Sequence, residues 1–282
     1  MKVIRTLLCV AAATWFTSAA LAEDLTLKVG TEPSFPPFEN TDPNTNEIVG
    51  FDIDLMEAVA QASNFKVEWV PMTFDGLLPA VISGQLDAAI SGFVINAERR
   101  KRVDFSAPYF SVGQGVMIHR DNRSEIESFD DLENRTLCVQ IGSVGAQVAE
   151  KVTGSKLKVF NTTSEAYMEL ANKGCDAMIT ASAVHQNYLA QQRNSKLMML
   201  PDIIDAAGLG IVMPKGNAKV KQLIDDGFAK IKADGTFQKV YDKWDDSLSD
   251  EQKKKIFSGS GSAHSAGMTA LRTAYALDHG IE

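Results

Sequence analysis

A short stretch before residue 100 places cations just after the end of a strand. Residues 87–90 are typical of a buried strand end, and Ser91 and Gly92 begin a loop in which the backbone can approach a ligand closely. Asn96 then predicts an N-cap for a helical turn that carries Arg99 and Arg100. Ligands of α/β proteins lie outside the carboxyl ends of the strands. We therefore predict that one of these arginines faces a cleft and meets an anion.

A second stretch has the chemistry of an anion site. The apolar strand pattern of residues 136–140 ends in Gly142 and Ser143, and a helix pattern follows. Main-chain N–H groups and the helix dipole favour an anion at such a position, although Gly142 would also suit a plain strand-to-helix turn. A guanidinium offers a planar, permanently charged partner for a carboxylate. Each of the two stretches therefore has features that are typical of an anion site.

The first 22 residues have the pattern of an export signal. A basic start precedes an apolar run over residues 6–16, and the small residues Ala20 and Ala22 stand before Glu23. The run is short for the roughly 20 residues that a bilayer span needs. Cys9 follows two leucines, which argues against a lipid-anchored cysteine. We expect cleavage after residue 22 and a periplasmic mature protein.

Charge and cysteine usage exclude several classes of partner. Removing the two basic residues of the signal changes the formal charge from −8 to −10, which argues against a nucleic acid. The cysteines and the four histidines show no metal-ligand spacing, so we expect no metal and no cofactor. Cys138 and Cys175 lie in apolar strand-like runs. An oxidising compartment allows them to pair, and two buried thiols remain the alternative.

Alternating strand and helix patterns predict an α/β fold with two similar halves. Crossings near residues 109–115 and 206–210 would join the halves, and the cleft between them is the natural position for a ligand. The predicted division assigns residues 23–110 and 210–248 to lobe 1 and residues 111–209 to lobe 2. A flexible C-terminal tail is expected over residues 249–282, where the composition becomes that of a linker.

Seven short motifs, taken together, resemble one known family. They are GTE at 30–32, FPPF at 35–38, GFDIDL at 50–55, FDGLLP at 74–79, AERR at 97–100, DFSAPY at 104–109 and GTF at 235–237. Through these motifs residues 25–244 resemble the extracellular solute-binding proteins of family 3, the amino-acid-binding components of ABC importers. The resemblance implies a type II periplasmic-binding-protein-like fold, in which a hinged cleft between two parallel-rich sheets closes on a small ligand. It also implies a monomer that is not an enzyme and that delivers its ligand to a membrane permease.

The resemblance assigns roles to individual residues. Arg99 matches the arginine that grips the ligand's α-carboxylate, while Arg100, Lys101 and Arg102 are expected to be solvated. The other implied ligand contacts are Gly142, Ser143 and Val144 at the same carboxylate, Phe35 and Phe74 on either side of the ligand's side chain, Glu32 and Gln140 near its far end, and Ser91 and Gly92 in the loop of the first stretch.

Two positions depart from the family pattern. Amino-acid binders hold the ligand's ammonium with a hydroxyl residue five positions before the arginine, where this chain has Val94. They also use a carboxylate five positions after the aspartate of a later strand, where this chain has Ala181. An ammonium buried without acceptors costs several kcal/mol. We therefore expect a carboxylate that lacks a conventionally held α-ammonium, although Glu32 or the Gly92 carbonyl leaves an ordinary amino acid open.

The same fold also hosts enzymes, periplasmic cyclohexadienyl or arogenate dehydratases. Such an enzyme needs a general acid beside the leaving hydroxyl. Glu32 is the only carboxylate that the motifs place inside the cleft, and Ser143 has no histidine partner at a readable spacing. A binding protein is the leading interpretation, with a dehydratase-like enzyme as the alternative.

Overall fold

The structure is a computed structural model that describes residues 25–192 and 194–244. The predicted signal peptide of residues 1–22, including Cys9, and the predicted tail of residues 249–282 lie outside the described residues. Within the described ranges no helix is both long and apolar enough to span a membrane.

In the described ranges the chain forms two five-stranded sheets. The first sheet contains both the first and the last strand of the described chain. From edge to edge its strands are β5 (Lys66–Pro71), β1 (Thr26–Thr31), β6 (Ala88–Ala89), β13 (Val212–Pro214) and β7 (Val103–Phe105). β1 is parallel to both of its neighbours, whereas β13 returns from the other half of the chain and pairs antiparallel with β6 and β7. A small three-stranded sheet lies beside it, formed by β2 (Ser34–Phe35), β3 (Glu39–Thr41) and β4 (Ile48–Val49).

The second sheet is built from the middle of the chain. Its strands in order are β10 (Lys156–Phe160), β9 (Thr136–Gln140), β11 (Ala177–Ala181), β8 (Phe110–His119) and β12 (Leu197–Leu209). β9 is parallel to β10 and β11, while β8 is antiparallel to β11 and β12. Each of these two sheets is therefore mixed: one strand, β13 in the first sheet and β8 in the second, runs opposite to the other four.

Helices cover both sheets. They are α1 (Phe51–Ser63), α2 (Phe74–Ile82), α3 (Ala97–Arg102), α4 (Val144–Ala149), α5 (Thr163–Ala171), α6 (Ser182–Gln191), α7 (Ala218–Ala233) and α8 (Thr236–Trp244). Side-chain caps fix several of their first residues: Thr162 and Glu165 form a capping box at α5, and Asn96 accepts a hydrogen bond at α3. The α/β architecture predicted from alternating strand and helix patterns is confirmed.

Two neighbouring strands connect the sheets. β8 and β12 pair in the register Ser111 with Gly208 and Phe110 with Leu209. The Ile95 N–H donates to the Gly208 carbonyl at 2.8 Å, so this double connection lies directly against the loop before α3. We call the first sheet with its helices lobe 1 and the second sheet with its helices lobe 2. The residues at which the chain divides between them stay a prediction.

The two cysteines of lobe 2 form a disulfide. Cys138 lies on β9, Cys175 precedes β11, and their Cα atoms are 5.9 Å apart. Both side chains are buried. The question that the sequence left open is therefore answered in favour of pairing, and the bond ties β9 to the segment that leads into the neighbouring strand β11.

Candidate functional site

A small pocket lies between the lobes. Its lining residues come from loops and strand ends of both lobes: Phe35, Phe74, Ser91, Gly92, Val94 and Arg99 from lobe 1, and Gln114, Gln140, Ser143, Val144, Thr180 and Ala181 from lobe 2. The cavity measures about 30 Å³, room for about two water molecules. The lobes thus stand close together, and ten of the twelve predicted site residues line one cavity.

Arg99 is the cation of this pocket. Its side chain is 6% exposed, with Nη1 donating to the Val94 carbonyl at 2.9 Å and Nη2 donating across the cleft to the Gly142 carbonyl at 3.1 Å. The guanidinium carbon lies 5.7 Å from the centre of the Phe74 ring and 5.3 Å from that of Phe93. Burial lowers the pKa of Arg99 to about 10, opposed by the nearby charge of Glu98.

The helix turn that carries Arg99 has the predicted cap. The Asn96 side chain accepts the Arg99 main-chain N–H at 2.8 Å, which fixes the direction in which the arginine leaves α3. Arg100, Lys101 and Arg102 are exposed, as predicted, whereas Arg99 is buried. The same short helix thus carries one buried cation at the cleft and three exposed cations at the surface.

The start of α4 faces Arg99 across the cleft. The Ser143 hydroxyl accepts the Ala146 N–H at 3.0 Å and donates to the Gln140 carbonyl at 2.8 Å. Because a hydroxyl has one proton, this arrangement leaves none for a ligand carboxylate. Gly142 has a φ of +71° and presents its carbonyl rather than a side chain to Arg99. Gly142 is not among the residues that line the pocket, whereas Val144 lines it.

The two predicted aromatics lie on the lobe 1 wall. Phe35 stacks on Phe38 with ring centres 5.8 Å apart, and Phe74 stacks on Phe93 at 4.8 Å. A Cβ at Gly92 would come within 2.9 Å of the Phe35 ring, and Gly92 has a φ of +55°. Only glycine therefore lets the loop pass beneath this ring without strain.

Glu32 lies at the edge of the pocket and links the lobes. Its Oε2 accepts from Gln140 Nε2 at 3.2 Å, and its Oε1 accepts a short hydrogen bond from the Ser34 hydroxyl. Burial raises the pKa of Glu32, the hydrogen bonds from Ser34 and Gln140 lower it, and the charge of Glu165 raises it. Glu32 does not line the pocket itself, whereas its hydrogen-bond partner Gln140 does.

The two departures from the family pattern face the same cavity. Val94 and Ala181 both line the pocket and are 7% and 6% exposed, so their methyl groups stand where the sequence comparison placed a hydroxyl and a carboxylate. Gln114 and Thr180 also line it. Gln114 lies opposite Ala181 in the pairing of β8 with β11. The neighbourhood of Ala181 thus contains neutral polar groups.

Gln114 and Thr180 were not predicted from the sequence. Both belong to strands, whose apolar runs hid two polar side chains that point inward and are each 3% exposed. The sequence did offer a signal for these two pocket residues, namely a polar residue within an apolar strand pattern. Gln114 lies inside β8, and Thr180 comes directly before Ala181, the position that departs from the family pattern. Among the described residues no group of three or more His, Cys, Asp or Glu side chains is placed to hold a metal ion.

Two α/β lobes joined by paired strands, with a buried cation in a pocket between them, define a hinged solute-binding protein. The chain belongs to the bacterial extracellular solute-binding proteins, family 3, whose family model matches residues 27–247.

Several individual proteins are similar to this chain. A probable histidine-binding protein of Neisseria gonorrhoeae is 32% identical over 223 residues, covering 77% of this chain and 82% of the relative. A putative ABC transporter arginine-binding protein of Escherichia coli strain K12 is 30% identical over 233 residues, covering 80% and 93%.

Solved structures show the same fold. An ancestral arginine-binding protein bound to arginine aligns with a TM-score of 0.75 and 41% identity, covering 78% of this chain and 98% of that one. An ancestral amino-acid-binding protein, a precursor of cyclohexadienyl dehydratase, aligns with a TM-score of 0.71 and 37% identity, covering 78% and 95%.

Proposed function

We propose that this protein is the substrate-binding component of an ABC importer, and that outside the cytoplasmic membrane it captures a small carboxylate by lobe closure. The family and the arginine-binding relative of an ABC transporter support the transport role. A membrane permease would then receive the closed protein. In a Gram-negative cell the predicted signal would place the protein in the periplasm.

Arg99 is the observation that carries the carboxylate assignment. Its guanidinium is buried, faces the pocket and makes its two side-chain hydrogen bonds to neutral carbonyl oxygens. A buried charge that lacks an opposite charge is unfavourable, so an anion that enters beside it recovers part of the desolvation cost. A carboxylate also offers two oxygens in the geometry that a guanidinium prefers.

Val94 and Ala181 indicate which carboxylates fit. Neither side chain accepts a hydrogen bond, and both line the pocket. The polar groups nearby, Gln114 and Thr180, are neutral, so they suit a hydroxyl or carbonyl better than an ammonium that has left water. The proposed ligand is therefore an organic acid, or a modified amino acid, without a conventionally held α-ammonium.

An ordinary amino acid is the second candidate ligand. The named relatives bind histidine or arginine, and Glu32 at the pocket edge is a carboxylate that could receive a cationic group. This candidate predicts tight binding of a standard L-amino acid despite Val94 and Ala181.

A dehydratase-like enzyme remains the alternative function. Its support is the similarity to a dehydratase precursor and the raised pKa of Glu32, a property that suits a general acid. Against it, both Glu32 oxygens accept hydrogen bonds from Ser34 and Gln140. Turnover of arogenate or prephenate by the purified protein would establish that it is a dehydratase-like enzyme.

Restoring the missing acceptors tests the proposed ligand class. The double variant Val94→Ser and Ala181→Asp supplies the hydroxyl and the carboxylate, so its affinity for L-arginine or L-histidine should rise at least about tenfold, or about 1.4 kcal/mol. Titration calorimetry measures this change. Gln186→Asp, at an exposed position of α6, is the charge-matched control and should leave the affinity unchanged. Tight amino-acid binding by the native protein, weakened in the double variant, would exclude the organic-acid proposal.

A further inference from the structure

The loop that forms the floor of the pocket is held from behind by two buried carboxyl groups. The Ser91 hydroxyl donates to Glu39 Oε1 at 2.7 Å, and the Gly92 N–H donates to Asp52 Oδ2 at 2.8 Å. Glu39 lies on β3 and Asp52 on the first turn of α1, and both are 0% exposed. Neither residue lines the pocket, yet each contacts a residue that does.

Each of these two carboxyl groups has a second oxygen that is buried without a hydrogen-bond partner among the described residues. In the part of the chain that the structure describes, three buried side-chain oxygens lack a hydrogen-bond partner, and two of them are Glu39 Oε2 and Asp52 Oδ1. The two carboxyl groups also lie close together, because the Asp52 N–H donates at 2.9 Å to the carbonyl of Phe38, the residue before Glu39, and the charge of Asp52 acts on Glu39. Ionised carboxylates only accept hydrogen bonds, so two of them cannot satisfy each other. A single proton held between the two groups satisfies both orphaned oxygens.

The surroundings favour keeping that proton. Burial, and next the charge of Asp52, raise the pKa of Glu39 well above its usual range, and Glu32 adds a further negative charge. Burial raises the pKa of Asp52 to about 7, although it accepts hydrogen bonds from the Gly92 N–H and, at 2.8 Å, from the Tyr109 hydroxyl. These titratable neighbours of the pair, Glu32 and Tyr109, provide no positive charge.

We propose that Glu39 and Asp52 share a proton at neutral pH, and that this carboxylic acid–carboxylate pair positions Ser91 and Gly92 at the floor of the ligand pocket. Proton sharing leaves the remaining oxygens to their other partners: Glu39 accepts from Ser91, and Asp52 accepts from Gly92 and Tyr109. Both are positioning residues. The inference concerns the protein alone, so it stands or falls independently of the ligand proposed above.

The shared proton has a definite pH dependence. Both folded-state pKa values are raised, so folding gains stability from this pair that is fully present at low pH. That stability is lost as the pH rises from the unfolded pKa values, near 4, through the folded ones. In Glu39→Gln an amide N–H replaces the shared proton permanently, and the Gln carbonyl can still accept from Ser91. This variant should keep the loop in place and lose the pH dependence.

Urea unfolding at pH 6, 7 and 8 measures the difference. The folding constant of the native protein should fall relative to that of Glu39→Gln by about tenfold per pH unit for one proton held. Glu47→Gln, an exposed change in the same loop region, should follow the native curve. Glu39→Ala removes the hydrogen bond from Ser91 and the proposed one to Asp52, so this variant should be less stable than the native protein at every pH. Glu39→Gln should have a higher free energy of unfolding than Glu39→Ala. Parallel pH curves for the native protein and Glu39→Gln would overturn the proposal.

Carbon-13 NMR of carboxyl-labelled glutamate and aspartate gives a second readout. Signals that vanish in Glu39→Gln and Asp52→Asn assign the pair, and in the native protein at least one of them should titrate above pH 7. Two assigned carboxyls that are both ionised at pH 6 would contradict proton sharing, whatever the stability of the variants.

Discussion

Arg99 illustrates how one buried charge defines the chemistry of this cleft. Two carbonyl oxygens and two aromatic rings surround its guanidinium, and burial lowers its pKa to about 10. Carbonyl dipoles compensate a buried cation only in part. A ligand carboxylate therefore gains more from Arg99 than it would from a solvated arginine, and Arg99 itself gains from the ligand.

Removing this side chain should separate binding from stability. Arg99→Ala should weaken the binding of the true ligand by about 3 kcal/mol or more, over a hundredfold in Kd, because a charge-assisted contact is lost. The ligand-free variant should unfold at a midpoint equal to or above that of the native protein, because a buried unpaired charge is also lost. Titration calorimetry and urea unfolding measure the two effects.

Lys101→Ala is the matched control for this change. Lys101 lies on the same helical turn and is exposed, so its removal should alter neither affinity nor stability measurably. Unchanged affinity in Arg99→Ala would show that the carboxylate is held elsewhere.

At the same scale, motifs predicted most of the pocket. Arg99, Phe35 and Phe74 each belong to a short sequence motif. Such a motif can be recognised without knowing which distant residues are in contact. Gln114 and Thr180 could not be found this way. Their approach to the ligand position arises from the pairing of β8 with β11, which depends on residues more than sixty positions apart.

Among elements, helices with capping residues were predictable and short strands were not. Asn96 was predicted as a cap and confirmed, because a cap is a local hydrogen bond. The proline-rich loop of residues 31–38 contains β2 and leads to β3, strands of two and three residues that carry too little pattern to detect. The predictions also missed β12, whose thirteen residues include Pro201 and whose pairing with β8 shifts register twice, which breaks the alternation.

The disulfide ties two elements of lobe 2 and should contribute strongly to stability. It closes a loop across 37 positions, and the chain-entropy model gives about 3–4 kcal/mol for a loop of this length. Replacing both Cys138 and Cys175 by Ser should lower the free energy of unfolding by that amount, as measured in urea. A reductant should destabilise the native protein equally and leave the variant unaffected. A difference below about 1 kcal/mol would show that the bond constrains little.

At the scale of the whole molecule, alternating patterns were sufficient to predict two α/β halves and a cleft. They did not predict how closely the halves approach, because this depends on contacts between distant residues. Among the described residues, three side-chain hydrogen bonds cross the cleft: Arg99 to Gly142, Gln140 to Glu32, and Thr163 to the Ser34 carbonyl at 2.9 Å. Their number and placement follow from the tertiary structure alone.

The closed cleft also constrains how a ligand is exchanged. A cavity of about 30 Å³ is far smaller than the roughly 300 Å³ or more of ordinary small-molecule sites. Under the proposed function, ligand entry would require the lobes to separate around the paired connection of β8 and β12. A carboxylate in contact with Arg99 on lobe 1 and with lobe 2 groups at once would then favour the closed arrangement by its differential affinity.

On the proposed function, the pocket binds a carboxylate without holding an α-ammonium. The most direct test is titration calorimetry with matched ligand pairs, L-arginine against 5-guanidinopentanoate and L-histidine against imidazolepropionate. Each pair differs in the ammonium group and keeps the carboxylate and the side chain. We predict that, in any pair that binds, the analogue without the ammonium binds at least as tightly as the amino acid. An amino acid that binds ten or more times more tightly than its analogue would show that the pocket holds the α-ammonium.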